Sequence, residues 1–594
     1  MIKDFYMSIK QRLFRSVGRF MGDLGDLSED DQRAVRGWCV YDWANSAFST
    51  SITVAILPIY FAAIFTSEYH TGGPGFLGST LGAETLWAWT IGLSAFIVAV
   101  TSPVLGVIAD RAPLKMWLLR TYASAGALFT FLLLFSAYTG HDWAWLLGCF
   151  FIANVGFAGS TVFYNSLLPH IVKEEYYDDV SSRGYAYGYI GGGLLLLFHL
   201  IVLIIFDYDD LVTRLALASV GLWWYGWSLY TFATIPEPHV ENPLPSLGVV
   251  KSTQLAFSEL KQTFGEISSF KILFTYLIAF LLFNDGIQTV LAQAGVYAVI
   301  TLGVTSTTLI ATILIIQFVG ALGATVFKWI AEFTSSKQAL MYSLVVWVVV
   351  IILATGFAIE EPSEKKDFDY QLIYDTPTET FLVEAVPDLG NGKADLAWED
   401  LVGDWDPDDE NKRVMQADEL AFLIEQIVTG DGQRFSLYYD LNTTLDGNFV
   451  IGPEHPSQLG DEELDAVPIW MRSNVWGPLG LSADLQFLLV GAILGLVMGG
   501  SQALARSIFA SMTPDSRSFE FFGFFGLSIR VSTIFGPLIY GWLAFKYDAR
   551  VGVMSLAILV ILGALLFLTV DVDEGRRVAI EEEKKSKSAS ESSS

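Results

Sequence analysis

Tyr41-Asp42-Trp43-Ala44-Asn45-Ser46 opens an apolar run that continues through Pro58 to about Phe65, and it sets a carboxylate where hydrocarbon is expected. Asp42, Asn45, Ser46 and Ser49 fall at i, i+3, i+4 and i+7, so a helix gathers them into one polar stripe on a greasy cylinder. The order of acid, two residues, amide and hydroxyl returns at Asp285, Gln288 and Thr289, inside a second long apolar run. Carboxylates facing lipid are costly. A stripe repeated in two such runs therefore predicts two related halves facing each other across a wet cavity.

At 594 residues, 53% hydrophobic and 16% charged, with a mean hydropathy of +0.46, the chain is too apolar for a soluble globule and too long for one span. Apolar segments recur at 37–65, 85–109, 116–138, 143–168, 184–206, 213–235, 271–298, 306–332, 338–359, 483–510, 520–545 and 550–570. These predict an all-α membrane protein of twelve spans in two six-helix bundles, 37–235 and 271–359 with 481–571. Residues 236–270 are the expected linker between bundles, beginning at Pro236-Glu237-Pro238. The two cysteines, Cys39 and Cys149, lie in or beside predicted spans and offer no disulfide framework. No cleavable leader is evident in the charged first 36 residues, which read as a short basic amphipathic arm with Ile9, Leu13, Phe14 and Val17 on one face.

The net charge of -28 is concentrated in one place, because residues 360–480 carry 28 acidic against 7 basic residues. Outside that stretch Lys and Arg favour the arm, alternate loops and the 572–594 tail, so the positive-inside rule predicts cytoplasmic termini and an extracytoplasmic acidic insert. Runs such as Phe381-Leu382-Val383, Phe435 to Tyr439 and Phe449 to Ile451, with a helical Glu419 to Val428, suggest that the insert is a small mixed α/β domain. Its acidity suits either a high-salt habitat or a cation or basic partner held there. Asp404-Trp405-Asp406-Pro407-Asp408 alternates acids like a calcium loop but lacks the glycine and the closing glutamate, so no metal site is expected. Asn442-Thr443-Thr444 is a glycosylation sequon.

Two further matches link the halves. Ala109-Asp110-Arg111 through Lys115 corresponds to Ala331-Glu332-Phe333 through Lys337, and Gly159-Ser160-Thr161 through Ser166 aligns with Gly500-Ser501-Gln502 through Ser507, setting Asn165 opposite Arg506. The loop Gly106 to Lys115 resembles the signature loop of the major facilitator superfamily, in which an acid and following bases can latch neighbouring helix ends. Tyr41-Asp42-Trp43-Ala44-Asn45-Ser46-Ala47-Phe48, Tyr164 to Pro169, Val180 to Gly193, Asn284-Asp285-Gly286, Gly500 to Ser507 and Phe521-Phe522-Gly523 together resemble the vacuole-effluxer family of that superfamily. The resemblance spans both halves and omits the acidic insert. It implies the twelve-helix facilitator fold and efflux of small solutes such as amino acids, across a plasma membrane in a prokaryote or a vacuolar membrane in a eukaryote.

In that fold the first, fourth, seventh and tenth spans line the cavity, which makes Asp42, Asn45, Ser46, Asn154, Thr161, Asn165, Asp285, Gln288, Gln502 and Arg506 the candidate pathway residues. Asp285 ranks first as a mid-span acid able to exchange a coupling proton; permanent pairing is its structural alternative. Asn154, Thr161 and Asn165 either present hydrogen-bonding groups to a zwitterion or act as polar glue between helices. Arg506 either holds a carboxylate or snorkels to the interface. Asp110, Arg111, Lys115, Glu332 and Lys337 are the candidate gating residues. His199 reads as structural. No Walker loop, zinc-spaced histidines or nucleophile elbow occurs, so no enzyme activity, cofactor or nucleic-acid partner is expected. The competing reading is a non-transporting membrane sensor or scaffold whose acidic domain binds a partner.

Overall fold

The computed structural model describes residues 27–593 except 70–73, 77–78, 81, 241–257, 259–269, 303, 305, 360–361, 363, 388, 390–392, 441–447, 456 and 461–463. Residues 1–26 of the basic arm, most of the helical pattern expected in the linker and the sequon fall outside these residues, and the arm's last residues already belong to the first helix, from Glu29. Among the described residues, eleven helices are long and apolar enough to cross a membrane. The segment expected at 213–235 is also a helix, Asp210–Thr234. Its Trp and Tyr residues, with Asp210 and Arg214, make it less apolar than its neighbours.

The first span joins Glu29–Ala47, a π-helical stretch Phe48–Ala55 and Leu57–Tyr69. The widened stretch carries Ser49, Thr50, Ser51 and Thr53, whose hydroxyls can serve freed backbone groups; Thr50 and Ser49 donate to the Ser46 carbonyl. The next five spans are Ala83–Arg111, Lys115–Phe131 extended by a 3-10 turn Leu132–Tyr138, Asp142–Ser166, Tyr177–Ile205 and Asp210–Thr234. The seventh to ninth are Lys271–Leu302, Ser306–Phe333 and Ser336–Thr355, and the tenth is Ala483–Ser511. The eleventh is broken into Ser518–Val531 and Phe535–Lys546, and Ala549–Leu568 is the twelfth. Close approach of the halves needs glycine at Gly106 of the second span, where a Cβ would stand 2.4 Å from the Phe519 carbonyl oxygen of the eleventh.

The insert holds a five-stranded sheet of order β3-β2-β1-β4-β5: β1 is Tyr370–Asp375, β2 Thr380–Ala385, β3 Val414–Met415, β4 Ser436–Asp440 and β5 Asn448–Ile451. Among the described residues only β1 and β4 pair in parallel, Tyr370 beside Leu437. Helices Lys393–Val402 and Ala417–Thr429 accompany the sheet, and Leu372, Val383, Trp398, Met415, Leu423, Ile427 and Leu437 form its own core. In the acid-rich loop Asp404 pairs with Lys412, and Asp406 accepts from the Asp408 amide.

Lys337, at the start of the ninth span, donates to the carbonyls of Leu568 and Val570 at 3.0 and 2.7 Å. The ninth span thus begins where the twelfth ends, which puts the insert at the opposite end of the molecule. A last helix, Val572–Ser593, crosses the near end: Arg576 pairs with Glu174 at 2.5 Å in the first half, and Glu583 accepts from the Ser516 amide at 3.0 Å in the second. A cavity of about 640 Å³ lies beneath it, lined in part by His170, Tyr177, Thr513 and Ile580.

Candidate functional site

The small residues Ala503 and Ala505 beside Arg506 let its long side chain leave the tenth span and enter the other half. Arg506 is 1% exposed. Its Nη1 donates to Asp42 Oδ2 at 3.3 Å and Asn165 Oδ1 at 3.0 Å, its Nε to Ser181 Oγ at 2.9 Å and its Nη2 to the Ser181 carbonyl at 2.8 Å. Tyr164 donates its hydroxyl to the same Asp42 oxygen at 2.7 Å. The rings of Tyr185, Trp38 and Tyr164 lie 4.2, 4.5 and 5.7 Å from the guanidinium carbon. Gly184 completes the cage, since a Cβ there would meet Asp42 Oδ2 at 2.6 Å. A buried ion pair survives when hydrogen bonds fill its other donors and acceptors, and here four of the five guanidinium N–H groups are engaged. Each of these side-chain hydrogen bonds of Arg506 crosses between halves.

Two latches flank this lock at the same end. At the first, Asp110 accepts from the Glu520 and Phe519 amides at 2.8 and 3.3 Å, capping the eleventh span from the opposite half. Lys115 lies 3.5 Å from Asp110 and 4.6 Å above the Phe519 ring. His170 Nε2 accepts from Lys115 Nζ at 3.2 Å and from Ser518 Oγ at 2.8 Å, which requires the neutral ring protonated on Nδ1. Burial and then the Lys115 charge push the His170 pKa down to about 3. At the second latch the polarity is reversed. Asp178 and Asp179, in the first turn of the fifth span, receive Ser336 Oγ at 2.5 Å, Ser507 Oγ and Lys328 Nζ from the second half.

Of the other candidate gating residues, Glu332 lies 3.5 Å from Lys328, while Lys337 is drawn to the carbonyls ending the twelfth span. Arg111 closes the second span, half-buried. Asn45 is buried and Ser46 packs against Gly188. Asn154 donates to Ser94 Oγ of the second span at 2.6 Å, and Thr161 turns back to its own Phe157 carbonyl at 2.8 Å. Asp285 is buried with its carboxylate on the Gly536 amide, at 2.9 and 3.0 Å, because the break in the eleventh span leaves amides without helical partners. Gln502 and Gln288 both donate to Asn284 Oδ1, at 3.2 and 3.4 Å, and Asn284 donates to Ser532 at 2.5 Å. Sequence reasoning missed Trp38, Tyr164 and Ser181, whose types are common in spans, His170, which lies between the fourth and fifth spans, and Arg530, whose charge inside an apolar run was a signal of the same kind as Asp42.

Two membrane bundles meeting through a polar lock and paired latches at one end are the architecture of a transporter of the major facilitator type. The chain belongs to the family described as vacuole effluxer Atg22 like, whose model matches residues 30–368 and 465–580 and passes over the sheet of the insert. It is 28% identical over 328 residues to the uncharacterized MFS-type transporter YxiO of Bacillus subtilis (strain 168), covering 53% of this chain and 72% of that protein. It is 22% identical to autophagy-related protein 22 of Coccidioides immitis (strain RS), over 94% of this chain and 89% of that one. The solved structure of the proton:xylose symporter XylE covers 91% of this chain and 95% of that one at 11% identity, with a TM-score of 0.48.

Proposed function

We propose that the chain exports small solutes, amino acids foremost, by alternating access, and that the end carrying the lock and latches faces the cytoplasm. The observation that carries this reading is the Arg506 cage, because a guanidinium whose every partner lies across the interface holds the halves together only while the near end is shut. When the halves part, Asp42 loses its cation and becomes the group to take up a coupling proton. The structural role of Asp285 makes it the weaker candidate for that proton. Reconstituted vesicles loaded with labelled amino acids test both parts. Exchange of label in the parent protein, with loss of pH-driven accumulation in Asp42→Asn and retention in Asp285→Asn, is the expected result; absence of exchange for every amino acid removes the substrate class.

The family match passes over residues 369–464, which favours a separate task for the insert, in which its acidic surface holds a cation or a basic partner. Deleting 370–451 from the full chain separates the readings: a transporter keeps its flux, whereas a sensor loses its output.

A further inference from the structure

Arg530 lies near the middle of the eleventh span, which runs from Asp515 to Lys546. Its side chain is half-buried. Among the described residues it has no hydrogen-bond, ion-pair or ring partner. The buried arginines among the described residues are tied down: Arg506 in its cage, Arg214 on Asp210, and Arg550 on the carbonyls of Thr355 and Phe357 at 2.9 and 2.6 Å.

The direction of Arg530 follows from its helix. Gly523 and Gly526 precede it by seven and four residues and so share its face. A Cβ on Gly523 would lie 2.8 Å from the Pro103 Cα of the second span, and one on Gly526 would lie 2.6 Å from Val162 of the fourth. That face is turned to the opposite half. Arg530 continues it one turn beyond the Gly526 contact, away from the shut end. A half-buried guanidinium without an acceptor is costly, and the planar fork matches a carboxylate in a two-pronged contact. In this state four of the five guanidinium N–H groups of Arg506 are already committed to its cage.

We propose that Arg530 is the anchor for the carboxylate of the transported solute, at mid-membrane in the cleft between halves. The ligand class is then small organic carboxylates, zwitterionic amino acids included. This rests on the carrier reading, and the experiment keeps the two apart. Proteoliposome exchange of the twenty common amino acids, lactate and succinate identifies the best-transported solute. Binding of that solute, of the analogue with its carboxylate removed and of the analogue with any amine removed is then measured on the full chain in nanodiscs. The parent should bind both carboxylate-bearing compounds and fail with the analogue that lacks the acid. Arg530→Gln should weaken carboxylate binding about tenfold or more, with Arg530→Lys intermediate. In Arg530→Cys, an anionic methanethiosulfonate should react from water, a readout of access to the position that stands even if the glutamine variant fails to fold. Equal affinity in Arg530→Gln, full binding of the acid-free analogue, or a cysteine that water cannot reach overturns the role of Arg530 while leaving the carrier intact. Exchange of none of these solutes overturns both.

Discussion

Replacing Arg506 by Gln should open the end of the molecule that is shut in this structure. The substitution removes four hydrogen bonds and a charge, and leaves Asp42 9% exposed with only the Tyr164 hydroxyl against it. Breaking a buried charge pair from one side costs about 3–5 kcal/mol. That cost falls on the closed state, because an open near end lets water reach Asp42. The closed-to-open ratio should therefore drop by roughly two to three and a half powers of ten. Spin labels at Lys173→Cys and Asp515→Cys, exposed sites on opposite halves, report the separation of the near end by pulsed electron resonance; the native Cys39 and Cys149 are buried. The parent should give one short distance and the Arg506→Gln variant a dominant long one. Asp42→Asn should shift the distribution less, since its amide oxygen still accepts from Arg506, and the double variant should fall short of the sum of the singles. Identical distributions in parent and Arg506→Gln would refute the claim that this pair locks the halves.

Acid should weaken the first latch. The folded His170 resists protonation down to about pH 3 while the unfolded chain takes up that proton near the ordinary value of 6.5, so the stabilisation is complete above pH 6.5 and is lost progressively as pH falls toward 3. Melting temperatures across that window should fall more steeply in the parent than in His170→Gln. Asp285→Ala should lower stability by about 1–2 kcal/mol through the lost cap on the second segment of the eleventh span, while Asp285→Asn keeps an acceptor and most of that stability, as thermal unfolding in detergent can show. Gly106→Ala should lengthen the near-end distance in the spin-label assay, because its methyl group has no space against the Phe519 carbonyl.

The spans were legible because a helix in lipid must satisfy its own backbone and present an apolar surface of fixed length, and sequence displays both. Charged residues inside those runs were legible for the same reason, which is why Asp42 and Arg506 stood out. What they touch was not. Asp285 looked equivalent to Asp42 by pattern, yet it serves backbone amides released by a break 250 residues later, and nothing local to Asn284-Asp285-Gly286 announces that break. The Glu332 and Lys337 repeat was real as sequence, but three-dimensional neighbours redirected both charges, so the second latch runs through Lys328, Ser336 and the acids of the fifth span. In the insert, the apolar runs marked β2, β4 and β5, while the more polar Lys393–Val402 helix gave too faint a periodicity to be noticed.

The helix Val572–Ser593 leans on Glu174 with one turn and on Ser516 with another, and these anchor points belong to bodies that must part for solute to pass by that route. A brace fixed to both leaves of a door cannot stay attached to both while the door swings. Amide exchange in its first turns therefore becomes a native clock for the cycle, slow while the doorway is shut and fast each time it opens, with no engineered probe needed to read it.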